Sequence, residues 1–462
     1  MAHDCESGFC ASRRDLLKAG AAGLTWGMFG LSLPNMLFMR EAYGLSPDPT
    51  IQNYDAIIQI FYDGGPSQTD SWDPKPGSAN NVFNTVNTGA KDIYGNNFLL
   101  SNVFTDINGL LNDPAFGVGA VRSMVHGNGD HGTGQMYMNC FWGSVLATQY
   151  PSTAAVMAHY FQGMGLGIPS VVINGANGDQ PNDAKGAKVP TALMVNVGAN
   201  QGANPTVQAL GMPTGVTAAR YARRRRMMES VNQKAVALPD DSVKAYDKAW
   251  KDAYDITVKG DAAKAFDLTG KPILPGRNGA PQNDLMRLTL AQNLVTAGVP
   301  YVACGIGGND SHGNNRATIT RNWGDITDSA VAAMAKNLKA TGKRVLIVMG
   351  GEFGRTPDTT SNGRDGRDHH PDGFSWAFVS VNQPKFKTTA VGDTGPNGMG
   401  QARNNTLKDP IYPKDLGAFI YTNMGFKPGD SPRTDIPTAV RDAPPVDRVN
   451  NSALLLKSFG LG

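Results

Sequence analysis

Two adjacent histidines, His369 and His370, stand in "GRDHHPDGFSW" at residues 366–376, in a chain of 462 residues with only seven histidines. They follow a carboxylate, Asp368, and precede a proline. Similar chemistry recurs elsewhere: Asp63 in "YDGGPS", His126 and His131 in "VHGNGDHGTG", Asp310 and His312 in "GGNDSHGNN", and Glu352 and Arg355 in "GGEFGRTP". Carboxylate and imidazole together suit zinc, manganese or iron better than calcium, which prefers oxygen alone. Taken singly, an aspartate beside a glycine also makes an ordinary turn, and Asp368 with its histidines could be no more than a hydrogen-bonded turn. Taken jointly, these residues predict a metal-binding crevice.

The elements that must carry them alternate short β-branched runs with helix-length segments, as in a parallel sheet covered by helices. "YDAIIQIFYDGG" reads as a buried strand ending at Asp63, and "GVGAVRSMVHG" as one ending at His126. "IPSVVING", "TALMVNVG", "VPYVACGIGGNDSH", "RVLIVMGGEFGR" and "GFSWAFVSV" read as further strands. "DLMRLTLAQNLVTAG", "DITDSAVAAMAKNLKATGK" and "PKDLGAFIYTNMG" read as helices closed by glycine, the second with acids early and lysines late. In an open α/β sheet ligands bind beyond the carboxyl ends of the strands. Asp63, His126, Asp310, His312 and Glu352 all follow a predicted strand, so they should face one crevice, over which the 366–376 segment can fold back.

The chain is long enough to bury one large core or two ordinary ones. Its net charge of +3 gives no general electrostatic argument for nucleic acid, so none is expected as a partner, and "RYARRRR" at 220–226 reads as a solvated helix face rather than a polyanion site. Stretches 163–215 and 244–268 read as long loops and an amphipathic helical cap. No internal repeat or linker interrupts the chain, which predicts a single domain over 45–462 with long loop insertions.

Residues 1–44 differ in kind. Arg13 and Arg14, then Leu16, Leu17 and Lys18, precede a mildly apolar run from Ala19 to Met39, and Ala42 to Gly44 offers a small-x-small cleavage pattern. This resembles a twin-arginine signal peptide, which implies the twin-arginine export machinery as a partner and a periplasmic or secreted destination. An uncleaved anchor is the competing reading, against which Pro34 and the small residues count. Cleavage would leave Cys140 and Cys304, a pair that could join in an oxidising compartment.

"DGGPSQTDSWDPKP" at 63–76, "GGNDSHGNN" at 307–315, "GGEFGRTP" at 350–357 and "GRDHHPDGFS" at 366–375, in that order, resemble an exported bacterial family defined as a domain of unknown function and grouped with the alkaline phosphatase and sulfatase superfamily. The resemblance runs over nearly the whole mature chain. It implies an alkaline-phosphatase-like three-layer α/β sandwich, its mostly parallel sheet covered by helices on both faces, and one or two divalent metal ions (zinc, manganese or iron). By the same resemblance Asp63 is the first acid, Asp310 and His312 the second element, Glu352 the next carboxylate, and His369 or His370 the later ligand. In "GNGDHGTGQ" Thr133 is the hydroxyl candidate for a nucleophile, and His131 a general acid or a ligand. Arg355 would stabilise a developing oxyanion, or pair with a loop acid such as Asp358. The chain departs from the superfamily pattern where Asp310 and His312 stand two apart rather than four, and where Phe353 occupies a second-metal histidine position. Fewer nitrogen ligands imply one metal or none. The implied function is a metal-dependent hydrolase of phosphate or sulfate esters on a small molecule or surface polymer. The alternative is a non-catalytic periplasmic or cell-surface binding protein that keeps the fold with a degenerate site.

Overall fold

The computed structural model describes residues 48–79, 81–141, 152–161, 168–174, 193–197, 223, 226, 261–358, 365–401, 404–426 and 451–462. The signal-like segment, most of 163–215 and residues 244–260 lie outside the described residues, as does "RYARRRR" apart from Arg223 and Arg226, which are exposed and helical. Residues 261–266 of the expected cap are a short helix.

β1 (Ala56–Tyr62) is wholly buried, as an uninterrupted apolar run predicts for a central strand covered on both faces. Its side chains alternate between two cores. Ile58, Ile60 and Tyr62 join one, and Ile57 and Phe61 the other. β2 (Thr85–Lys91) and β3 (Asn97–Ser101) form a separate hairpin that the sequence reading did not anticipate. β4 (Phe116–Met124), β5 (Ser170–Ile173), β6 (Leu193–Val195), β7 (Tyr301–Ile306) and β8 (Val345–Gly350) follow. Next come the two-residue strands β9 (Gly354–Arg355) and β10 (His369–His370), then β11 (Phe374–Val381) and β12 (Thr389–Val391).

The main sheet has eight strands in the order β12-β4-β11-β8-β1-β7-β5-β6. Every pairing is parallel except those of β11, which runs against both β4 and β8. The first core packs against α3 (Gln282–Thr296) and α4 (Ser329–Lys339) through Leu288, Leu294, Ala335 and Leu338. The second packs against α1 (His131–Cys140), α2 (Thr153–Tyr160), α5 (Pro413–Asn423) and α6 (Ser452–Ser458) through Met138, Met157, Phe419 and Leu455. Helices therefore cover both faces of a mostly parallel sheet, the three-layer α/β fold expected from the sequence.

Two details differ from expectation. The helix expected from Asp325 begins earlier, as a short α-helical segment at Asn315–Ile319, runs as a π-helical stretch from Thr320 to Asp328, and returns to α-helix at Ser329. Cys140 and Cys304 are both buried as thiols, without a disulfide, since Cys304 lies in the first core whereas Cys140 packs with Tyr137. Among the described residues no helix is long and apolar enough to cross a membrane.

Candidate metal centre at the carboxyl edge

The parallel strands bring their carboxyl ends to one edge, and the single reversed strand starts there. β1 delivers Asp63, β7 leads to Asp310 and His312, β8 to Glu352, and β4 through a short loop to α1. Because β11 is antiparallel, the segment before it, including His369, arrives at this same edge. The turn after β1 depends on glycine. Gly64 has φ +112° and a Cβ there would overlap the Asp310 backbone nitrogen, so the β1 and β7 loops touch through a position that tolerates no side chain.

α1 begins where four glycines in "HGNGDHGTG" would discourage a helix. Asp130 compensates as N-cap, its carboxylate accepting from the Thr133 N–H at 2.8 Å. Gly134 lets the helix approach Glu352 and Phe353, whose side chains lie 3.1 and 3.3 Å from where its Cβ would be. His131 consequently sits over the crevice.

Glu352 is fully buried, and its Oε1 accepts from the Gly64 N–H at 2.8 Å and from His131 Nδ1 at 2.7 Å. That bond turns His131 Nε2 toward Asp310 Oδ2, 3.5 Å away. Asp310 Oδ1 accepts from Arg355 Nη2 at 2.5 Å and lies 3.1 Å from His312 Nε2 and 3.6 Å from His369 Nε2. His369 Nδ1 meets the Gly129 carbonyl at 2.7 Å, which leaves Nε2 as the lone-pair nitrogen of the neutral ring. The Nε2 atoms of His312 and His369 face each other at 3.0 Å. Gln135, one helical turn beyond His131, donates from Nε2 to Asp63 Oδ1.

Charges in this cluster are interdependent. Burial, then the nearby Glu352 and Asp310, push the Asp63 carboxyl above the ordinary range. For Asp310 burial acts upward, but the Arg355 hydrogen bond and charge, with His312 and His131, outweigh it and hold the carboxyl below that range. The bond to Glu352 raises His131, whereas burial and the neighbouring Arg355, His131 and His312 lower His369 toward its neutral, metal-ligating form.

Two sets of side chains bring one donor atom each within 4.8 Å of one another: His131, Asp310 and His369, and His312, Asp368 and His369. Among the described residues the buried atoms His131 Nε2 and Glu352 Oε2 have no hydrogen-bond partner. Unpaired buried polar atoms are costly. A lone-pair nitrogen without a donor, and two facing imidazole nitrogens, fit a divalent transition metal held by imidazole and carboxylate.

Of the residues singled out from sequence, Asp63, His131, Asp310, His312, Glu352 and His369 converge on this edge. Asp63 and Glu352 stand beside the two sets rather than within them, one engaged by Gln135 and the other orienting His131. His370 turns away. It pairs with Gly354 on the face opposite to His369 and is only 3% exposed, because successive strand residues point to opposite sides. Arg355 is completely buried, donating to the carbonyls of Gly64, Gly65 and Arg367 as well as to Asp310. It therefore clamps Asp310 rather than Asp358, and presents no free edge to an oxyanion. The Thr133 hydroxyl donates to Asp130 at 2.8 Å and is spent on capping α1. His126 is also structural, its ring bridging the Glu352 carbonyl and the Asn128 N–H, and burial keeps it neutral.

Sequence reasoning missed Gln135 and the place of Asp368 among the donors. The four-residue spacing from His131 to Gln135 was a usable signal, since it stacks both on one helix face. Phe353, noted as a departure, packs its ring 4.4 Å from that of His369 and 4.9 Å from that of His131, walling one side of the cluster.

Residues 54–429 match the family described as "Protein of unknown function (DUF1501)". The chain belongs to this family. Among solved structures, the DUF1501 chain is similar to the C-terminal periplasmic domain of EcEptC from Escherichia coli, with 10% identity, 84% of this chain and 88% of that chain covered, and a TM-score of 0.33. It is also similar to the Streptococcus pyogenes phosphoglycerol transferase GacH in complex with sn-glycerol-1-phosphate (10% identity, 94% and 99% covered, TM-score 0.36). A third likeness is to alkaline phosphatase from the Antarctic bacterium TAB5 (11% identity, 75% and 96% covered, TM-score 0.29). Comparison with curated proteins finds no match.

Proposed function

We propose that this DUF1501 protein is an exported, metal-dependent hydrolase of phosphate or sulfate esters, its site built on His131, Asp310 and His369. The observation that carries the reading is the convergence of these three donors from separate elements, with His131 Nε2 buried, without a hydrogen-bond partner and 3.5 Å from Asp310 Oδ2. His312 and Asp368 extend the donor set on the other side of His369. A bound divalent cation would polarise an ester oxygen and lower the pKa of a bound water. The chain's own residues do the positioning. Glu352 aims His131, the Gly129 carbonyl aims His369, and Arg355 keeps Asp310 ionised. Export by the twin-arginine machinery to the periplasm or beyond rests on Arg13 and Arg14 and the run that follows.

A second reading, a non-catalytic exported binding protein, is favoured by one observation: the Thr133 hydroxyl is already engaged by Asp130. The deciding experiment measures bound metal by mass spectrometry in the folded chain and in an Asp310→Ala, His369→Ala variant, with p-nitrophenyl phosphate and p-nitrophenyl sulfate as substrates. Near-stoichiometric metal lost in the variant, with turnover of either ester, supports the hydrolase. Metal without turnover selects the binding protein, and absence of metal after export with metals supplied rejects the metal site.

A further inference from the structure

Away from the donor atoms, Asp70 and Arg367 form an ion pair that is almost wholly buried, at 0% and 1% exposure. Arg367 Nη2 donates to Asp70 Oδ1 at 3.3 Å, and Nε lies 3.1 Å from Oδ2. Asp70 Oδ2 also accepts from Ser67 Oγ at 2.6 Å and Asn315 Nδ2 at 2.7 Å. Arg367 Nη1 donates to the carbonyls of Thr356, at 3.0 Å, and Pro357. A buried pair of this kind is a poor stability device, since its desolvation offsets much of the attraction and apolar replacements are often as stable. Its placement suggests another use.

Several attachments of the pair fall beside residues of the candidate centre. The Arg367 N–H donates to the carbonyl of Ser311, which lies between Asp310 and His312. The Arg367 carbonyl accepts from Arg355 Nη1 at 3.1 Å, the same guanidinium that clamps Asp310. Arg367 itself immediately precedes Asp368 and His369. Ser311 Oγ donates to Asn315 Oδ1 at 3.0 Å, so the partner of Asp70 also holds the β7 loop. Gly366 presses on the same loop, where a Cβ would overlap the His312 carbonyl. Three segments, after β1, after β7 and before β11, are thus tied at one buried node.

We propose that Asp70 and Arg367 are the positioning pair of this centre, setting the separation of Asp310, His312 and His369 and thereby the affinity for a divalent metal. The inference rests on the metal reading above. Its test uses the full chain with Asp70→Asn and Arg367→Lys, the second keeping charge but losing the planar fork. Asp328→Asn is the control, a fully buried carboxylate paired instead with Arg277. Zinc affinity is read by equilibrium dialysis, and amide hydrogen exchange is followed on the metal-free chain. Affinity should fall about 10- to 100-fold in both test variants, the usual cost of losing support behind a ligand. Exchange should quicken together at 309–313 and 366–370, with neither change in the control. Wild-type affinity in either test variant overturns the proposal, as does faster exchange confined to 67–71. Should the unmutated chain bind no zinc, the metal reading fails by itself and the exchange pattern decides the coupling, both segments upholding it and one alone refuting it. Asn315→Ala, which removes one bond to Asp70, is the milder probe if a test variant does not fold.

Discussion

Glu352 Oε1 and His131 Nδ1 meet at 2.7 Å although one residue follows the central strand β8 and the other opens α1. The contact fixes which imidazole nitrogen faces Asp310. Glu352→Gln keeps the shape and removes the charge, and the amide cannot accept from both the Gly64 N–H and His131 as strongly. The expected loss is about 1–3 kcal/mol of unfolding free energy, with about a 10- to 100-fold loss of metal affinity. Urea denaturation and equilibrium dialysis measure the two, and unchanged affinity would show that His131 needs no such orientation.

Gly64 and Gly95 both have positive φ, +112° and +85°, but only Gly64 touches the site. Alanine at Gly95 meets nothing within 4 Å and should cost only the backbone strain, about 1–2 kcal/mol. Alanine at Gly64 adds overlap with the Asp310 backbone, so it should cost more and also weaken metal binding. Parallel denaturation curves check this, and equal costs would contradict the close approach.

His369 and His370 should separate cleanly. His369→Ala is expected to remove most bound metal with little loss of stability, because the ring is partly exposed and offers Nε2 to the cluster. His370→Ala should keep the metal and lose about 1–3 kcal/mol of stability, as a buried residue does on truncation. Metal content and melting curves of the two variants decide between this assignment and its reverse.

A pH effect is expected at the opposite edge of the sheet. Arg344 binds both oxygens of Asp55, through its N–H at 2.8 Å and Nη2 at 2.7 Å. Burial acts upward on this carboxyl, but the Arg344 hydrogen bonds and charge outweigh it and hold the pKa below the ordinary range. A depressed folded pKa contributes stability above the unfolded value, lost as pH falls through the folded one. Asp55→Asn should therefore lower stability near neutrality and flatten its acid limb, which denaturation at a series of pH values below 5 would reveal. An acid limb as steep as that of the unmutated chain would mean that Asp55 does not contribute to it.

Much of the fold was legible because strands buried on both faces must be written as apolar runs. "AIIQIFY", "YVACGI" and "VLIVMG" are such runs, and each is a strand. The hairpin of β2 and β3 was not legible, since "TVNTGAK" is half exposed and carries no strong alternation. α1 was hidden by its glycines, which lower helix propensity yet permit the approach of Gly134 to Glu352.

The chemistry of the candidate site follows the same division. Residue types and their position after strands were enough to assemble Asp63, Asp310, His312 and Glu352 at one edge, because a parallel sheet must bring its strand ends together. Which of two adjacent histidines enters the crevice could not be read from "DHHP". It depends on the register of β10 with β9, which places His369 opposite Arg355 and His370 opposite Gly354. Likewise "GGEFGR" shows an arginine beside a glutamate, but only packing decides that Arg355 is buried under the Gly64 and Gly65 carbonyls with its charge spent on Asp310. Sequence determines which groups a strand can deliver, through a local period of two. Tertiary structure alone decides which way each points, because direction is set by hydrogen bonds to segments far away in the chain.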